Sequence, residues 1–424
     1  MPTIKHLFLH IEKYGRSHRS LYAFSTVMLF VALFDGIICY IAPLVITESG
    51  ISKTMMGIII GSASIVGAVF DFLMCRIFKN NFYRRILIFM FAICLLQPLI
   101  LWQAKTFPVF LLAMAMWGIY YDLKNFACFD FVSRETGKDE HSSSFGVIQV
   151  FQSIGYFIAP IAAGVVIGEF ANWAPFATAW ILISLAIVSF LILIFLKRKQ
   201  PEKDIVESDY ACKRFNLFME LSVWRKIGKL IMPALVLTLL INTVDGFFWT
   251  IGPILAEGFL SQKMFAGFMM AAYTLPPLFV GWFVGYFTAK FGKKRTAFFS
   301  FFIGSIILAF LPLTNSLFHT TIIIFLSSTF IALSWPAING AYADYISESR
   351  LVEKEIEGLE DFYTNIGYII GPISAGFLAD RFGNMNAFSV LGIAGALLAF
   401  ILLKFTPRKI NIKPKMVLEP DIMN

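Results

Sequence analysis

Two aspartates lie inside long apolar stretches of this sequence, where a charged side chain is costly. Asp35 is followed by Gly, then by Ile and Pro six and eight positions on, and Asp245 repeats that pattern. A carboxylate at the centre of a membrane helix costs about 2.5–3.5 kcal/mol to insert and usually faces protein or water. Because burial favours the protonated form, such a group can exchange a proton near neutral pH. The aspartates therefore predict proton or cation binding, with structurally satisfied carboxylates as the alternative.

A lysine, Lys124, also lies inside an apolar stretch. It shares one helix face with Trp117 and Tyr121, at i, i+4 and i+7. A lysine surrounded by lipid needs a carboxylate partner, and Asp35 and Asp122 are the candidates. This group predicts either a charge-swapping site, in which protonation of an aspartate frees the lysine, or a fixed ion pair.

Polar and aromatic side chains near these charges predict the walls of a substrate cavity. Asn242, Asp245 and Trp249 share a face at i, i+3 and i+7. The predicted cavity residues are Trp117, Tyr121, Asn125, Asn242, Trp249, Trp335 and Asn339. Each of them could equally pack against other helices without contacting a ligand.

An internal repeat supplies the elements that must position these residues. The ten residues that begin Gly155-Tyr-Phe-Ile-Ala-Pro return 212 residues later, beginning Gly367-Tyr-Ile-Ile-Gly-Pro, in a chain of 424 residues. The segments around Asp35 and Asp245 correspond in the same order. A two-fold repeat in a strongly apolar chain predicts two packed transmembrane halves with a binding site between them.

Small residues and prolines recur within this repeat and predict gating or packing positions. Small residues let helices approach closely, and a proline removes one backbone hydrogen bond and permits a bend. The positions are Gly155, Pro160, Gly164, Gly367, Gly371, Pro372 and Gly376. Asp71, Asp130 and Asp344 lie near predicted helix ends and are gate candidates, for which local hydrogen bonding to the partner half is the ordinary interpretation.

The composition places the chain in a lipid bilayer. It is 58% hydrophobic and 15% charged, whereas a soluble domain carries about 25% charged residues. Scanning for apolar stretches gives about twelve spans, so both termini lie on one side. Most of the 35 Lys and Arg residues fall on that side, which predicts that the termini are cytoplasmic. The net charge of +8 is therefore a topology signal and gives no evidence for nucleic acid.

The same pattern predicts the domain organisation, an all-α membrane protein with two six-helix bundles. Residues 1–196 form the first bundle, 197–228 a cytoplasmic linker with some helix near 215–224, and 229–424 the second bundle.

The five Cys and five His show no metal-ligand spacing, so neither a metal nor a cofactor is predicted. The sequence has no phosphate-binding loop, so the driving force for transport is expected to come from a gradient or from a partner chain.

Over its whole length the sequence resembles the major facilitator superfamily. The segment from Gly285 to Arg295 is similar to that family's Gly-x3-Asp-Arg-x-Gly-basic-basic loop, with Ala289 in place of the Asp. The repeated Gly/Pro segment is similar to the motif of the family's antiporter branch. Met114 stands where proton-driven drug antiporters carry an Arg. The resemblance implies that helices 1, 4, 7 and 10 line a central cavity and that the halves rock to give alternating access.

These observations predict a secondary transporter of a small organic solute and not an enzyme. Coupling to protons is expected, with sodium possible, through Asp35, Asp245, Asp122 and Lys124. Two aspartates and an aromatic cavity slightly favour efflux antiport of a cationic or amphipathic compound. The alternatives are a symporter or facilitator that takes up a sugar, organic acid or other metabolite, and a non-transporting membrane sensor. A monomer in the plasma or bacterial inner membrane is expected.

Overall fold

The computed structural model describes residues 19–77, 83–136, 141–167, 173–197, 217–259, 265–348 and 353–405, and within these ranges it is helical with no strand. The helices are α1 Arg19–Glu48, α2 Lys53–Ile77, α3 Tyr83–Gln103, α4 Phe107–Glu135, α5 His141–Val166, α6 Trp173–Lys197 and α7 Leu217–Glu257. Then follow α8 (Ala266–Thr274 and Pro277–Phe291), α9 Lys293–Ala309, α10 Leu317–Glu348, α11 Glu353–Phe382 and α12 Asn384–Phe405. We call the two ends of the helical bundle the Arg19 side and the Glu48 side, after the ends of α1.

The predicted all-α architecture is confirmed. Among the described residues, nine helices are long and apolar enough to cross a membrane, or ten when the bent pair Ala266–Gly281 and Phe283–Phe291 within α8 counts as one span. α4 and α11 are less apolar than this. α4 carries Asp122 and Lys124, and α11 carries Glu360 and Asp361. Because their polar residues lower the mean hydropathy, these two helices depend on the neighbouring helices to shield those side chains.

Two local features depart from simple spans. α8 breaks at the Pro276–Pro277 pair, where the prolines lack the N–H groups that an uninterrupted helix needs. α7 begins at Leu217, so the helical segment predicted within the linker continues directly into the span. Residues 198–216 lie outside the described part, and the boundaries 1–196, 197–228 and 229–424 stay predictions.

The first glycine of each repeated segment packs inside its own half. A Cβ atom added at Gly155 of α5 would lie 2.7 Å from the Cβ of Ala32 on α1. At the equivalent Gly367 of α11, an added Cβ would lie 2.6 Å from the Cβ of Asn242 on α7. Neither site has room for a side chain, so these glycines allow α5 to lie against α1 and α11 against α7.

The later residues of the same segments join the two halves. A Cβ at Gly57 of α2 would overlap the carbonyl oxygen of Pro372 on α11. The mirror contact joins Gly267 of α8 to the carbonyl oxygen of Pro160 on α5. We call these two helix contacts, α2–α11 and α5–α8, the seam. Their equivalence shows that the internal repeat is also a repeat of the inter-half packing.

The final glycines extend the seam toward the Glu48 side. Gly164 lies against the backbone of Gly267, and Gly376 lies against the carbonyl oxygen of Lys53. Gly371 instead packs within its half, against the carbonyl oxygen of Thr243 on α7. The repeated segment therefore holds each half together at its start and joins the halves at its end.

Hydrogen bonds between the halves close the Glu48 side. Asp380 of α11 accepts hydrogen bonds from the backbone N–H of Lys53 (3.2 Å) and from the N–H and hydroxyl of Thr54 (2.8 and 2.7 Å). The Nζ of Lys53 donates to Asn384 Oδ1 at 2.7 Å. One half of the protein thus caps the first turn of a helix that belongs to the other half. We call this group the Asp380 cap.

The cap changes the acid–base behaviour of Asp380. Partial burial alone would raise the pKa of this carboxyl, but the hydrogen bonds from Thr54 and Lys53 outweigh that effect and lower the pKa. The stabilisation from the cap is therefore complete above the ordinary aspartate pKa of about 3.9. It is lost as pH falls below that value and through the lowered pKa.

Replacing Gly57 by Ala should open the Glu48 side. The added Cβ cannot fit beside the Pro372 carbonyl, so α2 and α11 must separate. We expect pulsed EPR distances between labels at the Glu48 ends of these helices to lengthen by a few ångströms. Gly281→Ala is the matched control because a Cβ there meets nothing within 4 Å. Equal distances in both variants and the unmodified protein would contradict this account of the seam.

Asp380→Asn should weaken the closed Glu48 side without acid. The amide keeps the size of the side chain but removes the negative charge from the first turn of α2. With the same EPR labels we expect the variant at pH 7 to resemble the unmodified protein at a pH below the lowered pKa of Asp380. We also expect the variant to lose this acid response. A closed population that is equal in both proteins at pH 7 would refute a role for the cap.

Candidate functional site

Asp35 lies at the centre of the first half, on α1, and is 2% exposed. Its Oδ1 accepts hydrogen bonds from Trp117 Nε1 at 2.9 Å and from the hydroxyl of Tyr120 at 2.7 Å. Its Oδ2 accepts one from the hydroxyl of Tyr156 at 2.6 Å. Three donors from α4 and α5 thus satisfy an ionised carboxylate away from water. Trp117, predicted as a cavity wall, is in this structure a hydrogen-bond donor to Asp35.

Lys124 reaches Asp35 through Tyr156. Its Nζ donates to the Tyr156 hydroxyl at 3.3 Å and lies 3.6 Å from the ring centroid of Tyr121. The Tyr156 hydroxyl therefore receives a hydrogen bond from the ammonium group and gives one to the carboxylate. The aromatic face of Tyr121 adds a cation–π contact. The predicted charge pair is present, but it is bridged by a hydroxyl group and is not a direct ion pair.

Asp122, the other predicted partner of Lys124, lies elsewhere. A Cβ added at Gly67 of α2 would lie 2.6 Å from Asp122 Oδ2, so this carboxylate faces the α2–α4 contact. Residues two apart on an α-helix are rotated by about 200° around its axis, so they project from nearly opposite faces. The structure therefore separates Asp122 from Lys124, and we correct that pairing.

Asp245 occupies the equivalent place in the second half, on α7. Its Oδ1 accepts a hydrogen bond from the hydroxyl of Tyr273 at 2.6 Å and its Oδ2 accepts one from that of Tyr368 at 2.9 Å. Tyr368 on α11 and Tyr156 on α5 hold the second position of the ten-residue repeat. Both intramembrane carboxylates are thus bound by the same tyrosine of the same repeated segment.

The sequence interpretation missed the four tyrosines that bind the aspartates. For Tyr156 and Tyr368 a signal existed, since both copies of the repeat carry Tyr directly after the glycine that contacts the aspartate helix. Tyr120 and Tyr273 carry no such signal. Each is a buried aromatic residue among many in an apolar helix, and only the fold brings its hydroxyl to a carboxylate.

Tyr156 also contacts the other half of the protein. Its ring centroid lies 6.3 Å from that of Trp249 on α7, in an edge-on arrangement. Its backbone carbonyl accepts a hydrogen bond from the hydroxyl of Thr274 on α8 at 3.3 Å. One residue therefore joins the Asp35–Lys124 pair to the second half at the middle of the seam.

A cavity of about 230 Å³ lies between α10 and α11 on the Arg19 side. Asn339, Tyr342, Glu357 and Glu360 are among the residues that line it. Trp335, one turn before Asn339 on α10, is 38% exposed. Of the predicted cavity residues, the structure therefore places Asn339 in a cavity wall and Trp335 on the neighbouring turn.

The remaining predicted cavity residues lie deeper or on α4. Tyr121 is 38% exposed, yet it lies within electrostatic range of both Asp35 and Asp245, as a residue between the two halves would. Asn125 follows it by one turn and is half-buried. Asn242 is 1% exposed, so it belongs to the packed interior of the second half.

The gate candidates at helix ends form contacts inside their own halves. Asp130 of α4 accepts a hydrogen bond from the backbone N–H of Tyr83, at the start of α3, and pairs with Arg134. Asp344 of α10 pairs at 2.6 Å with Lys293, the first residue of α9. These contacts tie α4 to α3 and α10 to α9, and bonding of the gate candidates to the partner half stays a prediction. The side chain of Asp71 lies outside the described part.

The bridged charges of the first half should be interdependent in stability. Removing one member of a buried charge pair leaves the other uncompensated, at a cost of about 3–5 kcal/mol. We expect Asp35→Asn and Lys124→Met each to lower the unfolding free energy by about that amount. The double variant should lose less than the sum of the two. Thermal and denaturant unfolding in detergent would measure this cycle, and strict additivity would refute the coupling.

Comparison with known proteins agrees with this architecture. Residues 24–244 and 234–417 each match the profile of the Major Facilitator Superfamily. Among solved structures, the nucleoside transporter NupG aligns with a TM-score of 0.71 at 12% identity, covering 92% of this chain and all of that one.

Two further solved structures share the fold. A bacterial homologue of the human lysosomal transporter Spinster, in an inward-facing and unoccupied conformation, aligns with a TM-score of 0.69 at 14% identity. The alignment covers 91% of this chain and 96% of that one. A mutant of the peptide transporter POT, in complex with sulfate, aligns with a TM-score of 0.68 at 13% identity, covering 92% of this chain and 94% of that one. No curated protein matches the sequence. The chain belongs to the major facilitator superfamily and is a multi-pass membrane transporter of a solute.

Proposed function

We propose that this protein is a proton-coupled secondary transporter of a small organic solute, in which Asp35 and Asp245 are the coupling carboxylates. The observation that carries the proposal is the hydrogen bond of each aspartate to the repeated tyrosine, Tyr156 or Tyr368. These tyrosines belong to α5 and α11, the helices that also form the seam. A change of charge at either aspartate thus acts on a helix that joins the halves.

The contacts of Tyr156 suggest how protonation biases the seam. While Asp35 is ionised, it accepts the Tyr156 hydrogen and its charge balances that of Lys124. Protonation turns one acceptor oxygen into a donor and removes the charge that balances the lysine. The Tyr156 hydroxyl must then change partners, and the Trp249 and Thr274 contacts of this residue pass that change to the other half. Proton binding thereby favours one conformation of the seam over another.

The surroundings of the aspartates favour a proton over a sodium ion as the coupling ion. A sodium ion would need several oxygen ligands, whereas a proton needs one carboxylate. Around Asp35 the nearest groups are the N–H of Trp117 and two phenol hydroxyls, which donate to the carboxylate. An indole N–H cannot ligate a cation.

The position of Lys124 bears on the substrate class. The efflux of a cationic compound, slightly favoured by the sequence, would place a second cation beside Lys124 and require it to displace tyrosine hydroxyls from the aspartates. A neutral or anionic metabolite meets neither cost. The geometry therefore favours the second candidate, uptake of a sugar, organic acid or related metabolite by proton symport. From the distribution of Lys and Arg we propose that both termini are cytoplasmic, and we propose that the protein acts as a monomer.

Proton movement in cells and vesicles would distinguish these functions. For symport, adding sugars or carboxylic acids to de-energised, lightly buffered cells should make the medium more alkaline, and Asp35→Asn and Asp245→Asn should abolish the response. Asp361→Asn is the control, because that carboxylate is exposed and within the described residues accepts a hydrogen bond from Asn365, one turn later on the same helix, at 3.3 Å.

Everted vesicles with an acidic interior test the other direction of transport. Collapse of the pH gradient by a lipophilic cation, lost in the same two variants, would instead establish efflux antiport. Solute uptake or binding without any proton movement would overturn proton coupling and indicate a facilitator or a sensor.

A further inference from the structure

A file of polar side chains leads from the Arg19 side toward Asp245. Glu360, Thr364 and Tyr368 follow one another at intervals of one turn on α11. The Thr364 hydroxyl donates to Glu360 Oε1 at 3.3 Å, and the Tyr368 hydroxyl donates to Asp245 at 2.9 Å. Residues four apart share a helix face, so this file is a single stripe of α11.

The facing helix supplies the other side of the file. Asn242 on α7 lies one turn before Asp245, and its Nδ2 donates to the Thr364 hydroxyl at 3.3 Å and to the Thr238 carbonyl at 2.8 Å. The Asn242 Oδ1 is buried and accepts no hydrogen bond from the protein within the described residues. A buried amide oxygen of this kind ordinarily accepts a hydrogen bond from water.

The outer end of the file opens into the cavity between α10 and α11. Glu360 lines that cavity of about 230 Å³ together with Asn339 and Glu357. The inner end is the Asp245 carboxylate, whose two oxygens are held by Tyr273 and Tyr368. The file therefore connects a cavity on the Arg19 side with a carboxylate at mid-membrane.

The first half has no equivalent file. The repeat places Ile148 and Gln152 at the positions of Glu360 and Thr364, and Ala32 at that of Asn242. Ile148 is buried and cannot carry a proton. Asp35 is enclosed by three donors and is balanced by Lys124 through Tyr156.

We infer that Asp245 is the carboxylate that exchanges the coupling proton with the Arg19 side, and that Glu360 is the group through which the proton enters. This inference rests on the proposed proton coupling and assigns different roles to the two aspartates. Asp35, which the file does not reach, stays ionised beside Lys124 while Asp245 exchanges this proton, and the protonation of Asp35 is a separate step of the proposed coupling.

The transfer conserves protons at every step. A proton from water binds the Glu360 carboxylate, and the Thr364 hydroxyl, which donates to that carboxylate in the structure, turns its hydrogen inward. The protonated carboxyl group then passes its proton to the Thr364 oxygen as the hydroxyl releases its own proton inward. A water molecule oriented by Asn242 Oδ1 accepts that proton and passes one of its own to the Asp245 carboxylate. Asn242 is a positioning residue, since its amide holds the chain of O–H groups without being protonated.

A pH jump tests this path with the proton itself as the probe. The purified full-length protein in nanodiscs is acidified rapidly, and protonation of Asp245 is followed as the carboxyl C=O infrared absorbance that Asp245→Asn removes. We expect Glu360→Gln to slow this signal at least tenfold while its final amplitude at equilibrium is unchanged. Thr364→Val should also slow it. A merely structural role would change amplitude or stability and would not selectively change the rate.

Asp361→Asn provides the matched control, because it removes an acidic charge from the adjacent residue of α11, outside the file. We expect the rate in this variant to stay within about twofold of that in the unmodified protein. Unchanged rates in both Glu360→Gln and Thr364→Val would overturn the inference. Equal slowing in Glu360→Gln and Asp361→Asn would also overturn it, by indicating a general effect of surface charge.

The two proposals fail in different ways. If Asp245 is protonated through Glu360 in the pH jump but solute moves in cells without protons, the proposed proton coupling is wrong and the path stands. If the infrared signal is removed by Asp35→Asn and not by Asp245→Asn, the assignment of the aspartates is wrong while proton coupling stands. Thr364→Val retains all charges, so it keeps the test decisive should Glu360→Gln fail to fold.

Discussion

The need to satisfy two carboxylates inside an apolar interior governs the arrangement of this protein. Asp35 is buried and Asp245 is partly buried, and an unpaired charge in such a place would cost several kcal/mol, on the order of the protein's net stability. Each is satisfied by hydroxyl donors from the repeated tyrosine and a second tyrosine. The hydroxyls of the repeated tyrosines reach the carboxylates because the preceding glycine lets the tyrosine helix lie against the aspartate helix. The repeated Gly-Tyr pair is therefore one structural unit with the aspartate.

The same repeated segment couples this local requirement to the relation between the halves. One to two turns beyond each tyrosine, the carbonyls of Pro160 and Pro372 lie against Gly267 and Gly57 of the opposite half. Helix contacts this close tolerate little displacement, because packed interiors respond to strain by shifting between discrete arrangements. A helix that binds a titratable carboxylate at one point and the other half at the next is suited to pass a change of charge on as a change in packing. The Asp380 cap adds a polar contact on the Glu48 side that must break when the seam opens there.

The sequence predicted the larger features of the structure because they depend on repeated patterns. Apolar length identifies helices, and duplication identifies the halves and the pairing of Asp35 with Asp245. The identity of a side chain's partner depends instead on how helices rotate and approach. Asp122 and Lys124 are two residues apart and face different neighbours, although the sequence suggested a pair. Asp380 resembles an ordinary surface aspartate at a helix end until the fold brings the first turn of α2 to it.

The two halves differ in the polar residues that surround their aspartates, and these differences bear on the role of each aspartate. If both aspartates exchanged protons by the same route, the residues along that route would be expected to correspond. They differ: the second half has Glu360, Thr364 and Asn242, and the first has the apolar Ile148 and Ala32 at the first and third of these positions. The first half instead holds Lys124, and its repeat counterpart on α10 is Ile338. Each carboxylate thus has one companion that the other lacks, a balancing cation for Asp35 and a path to the cavity for Asp245. The proposed proton coupling then has two distinct parts, a carboxylate whose charge balances Lys124 through Tyr156 and a carboxylate at the inner end of the file.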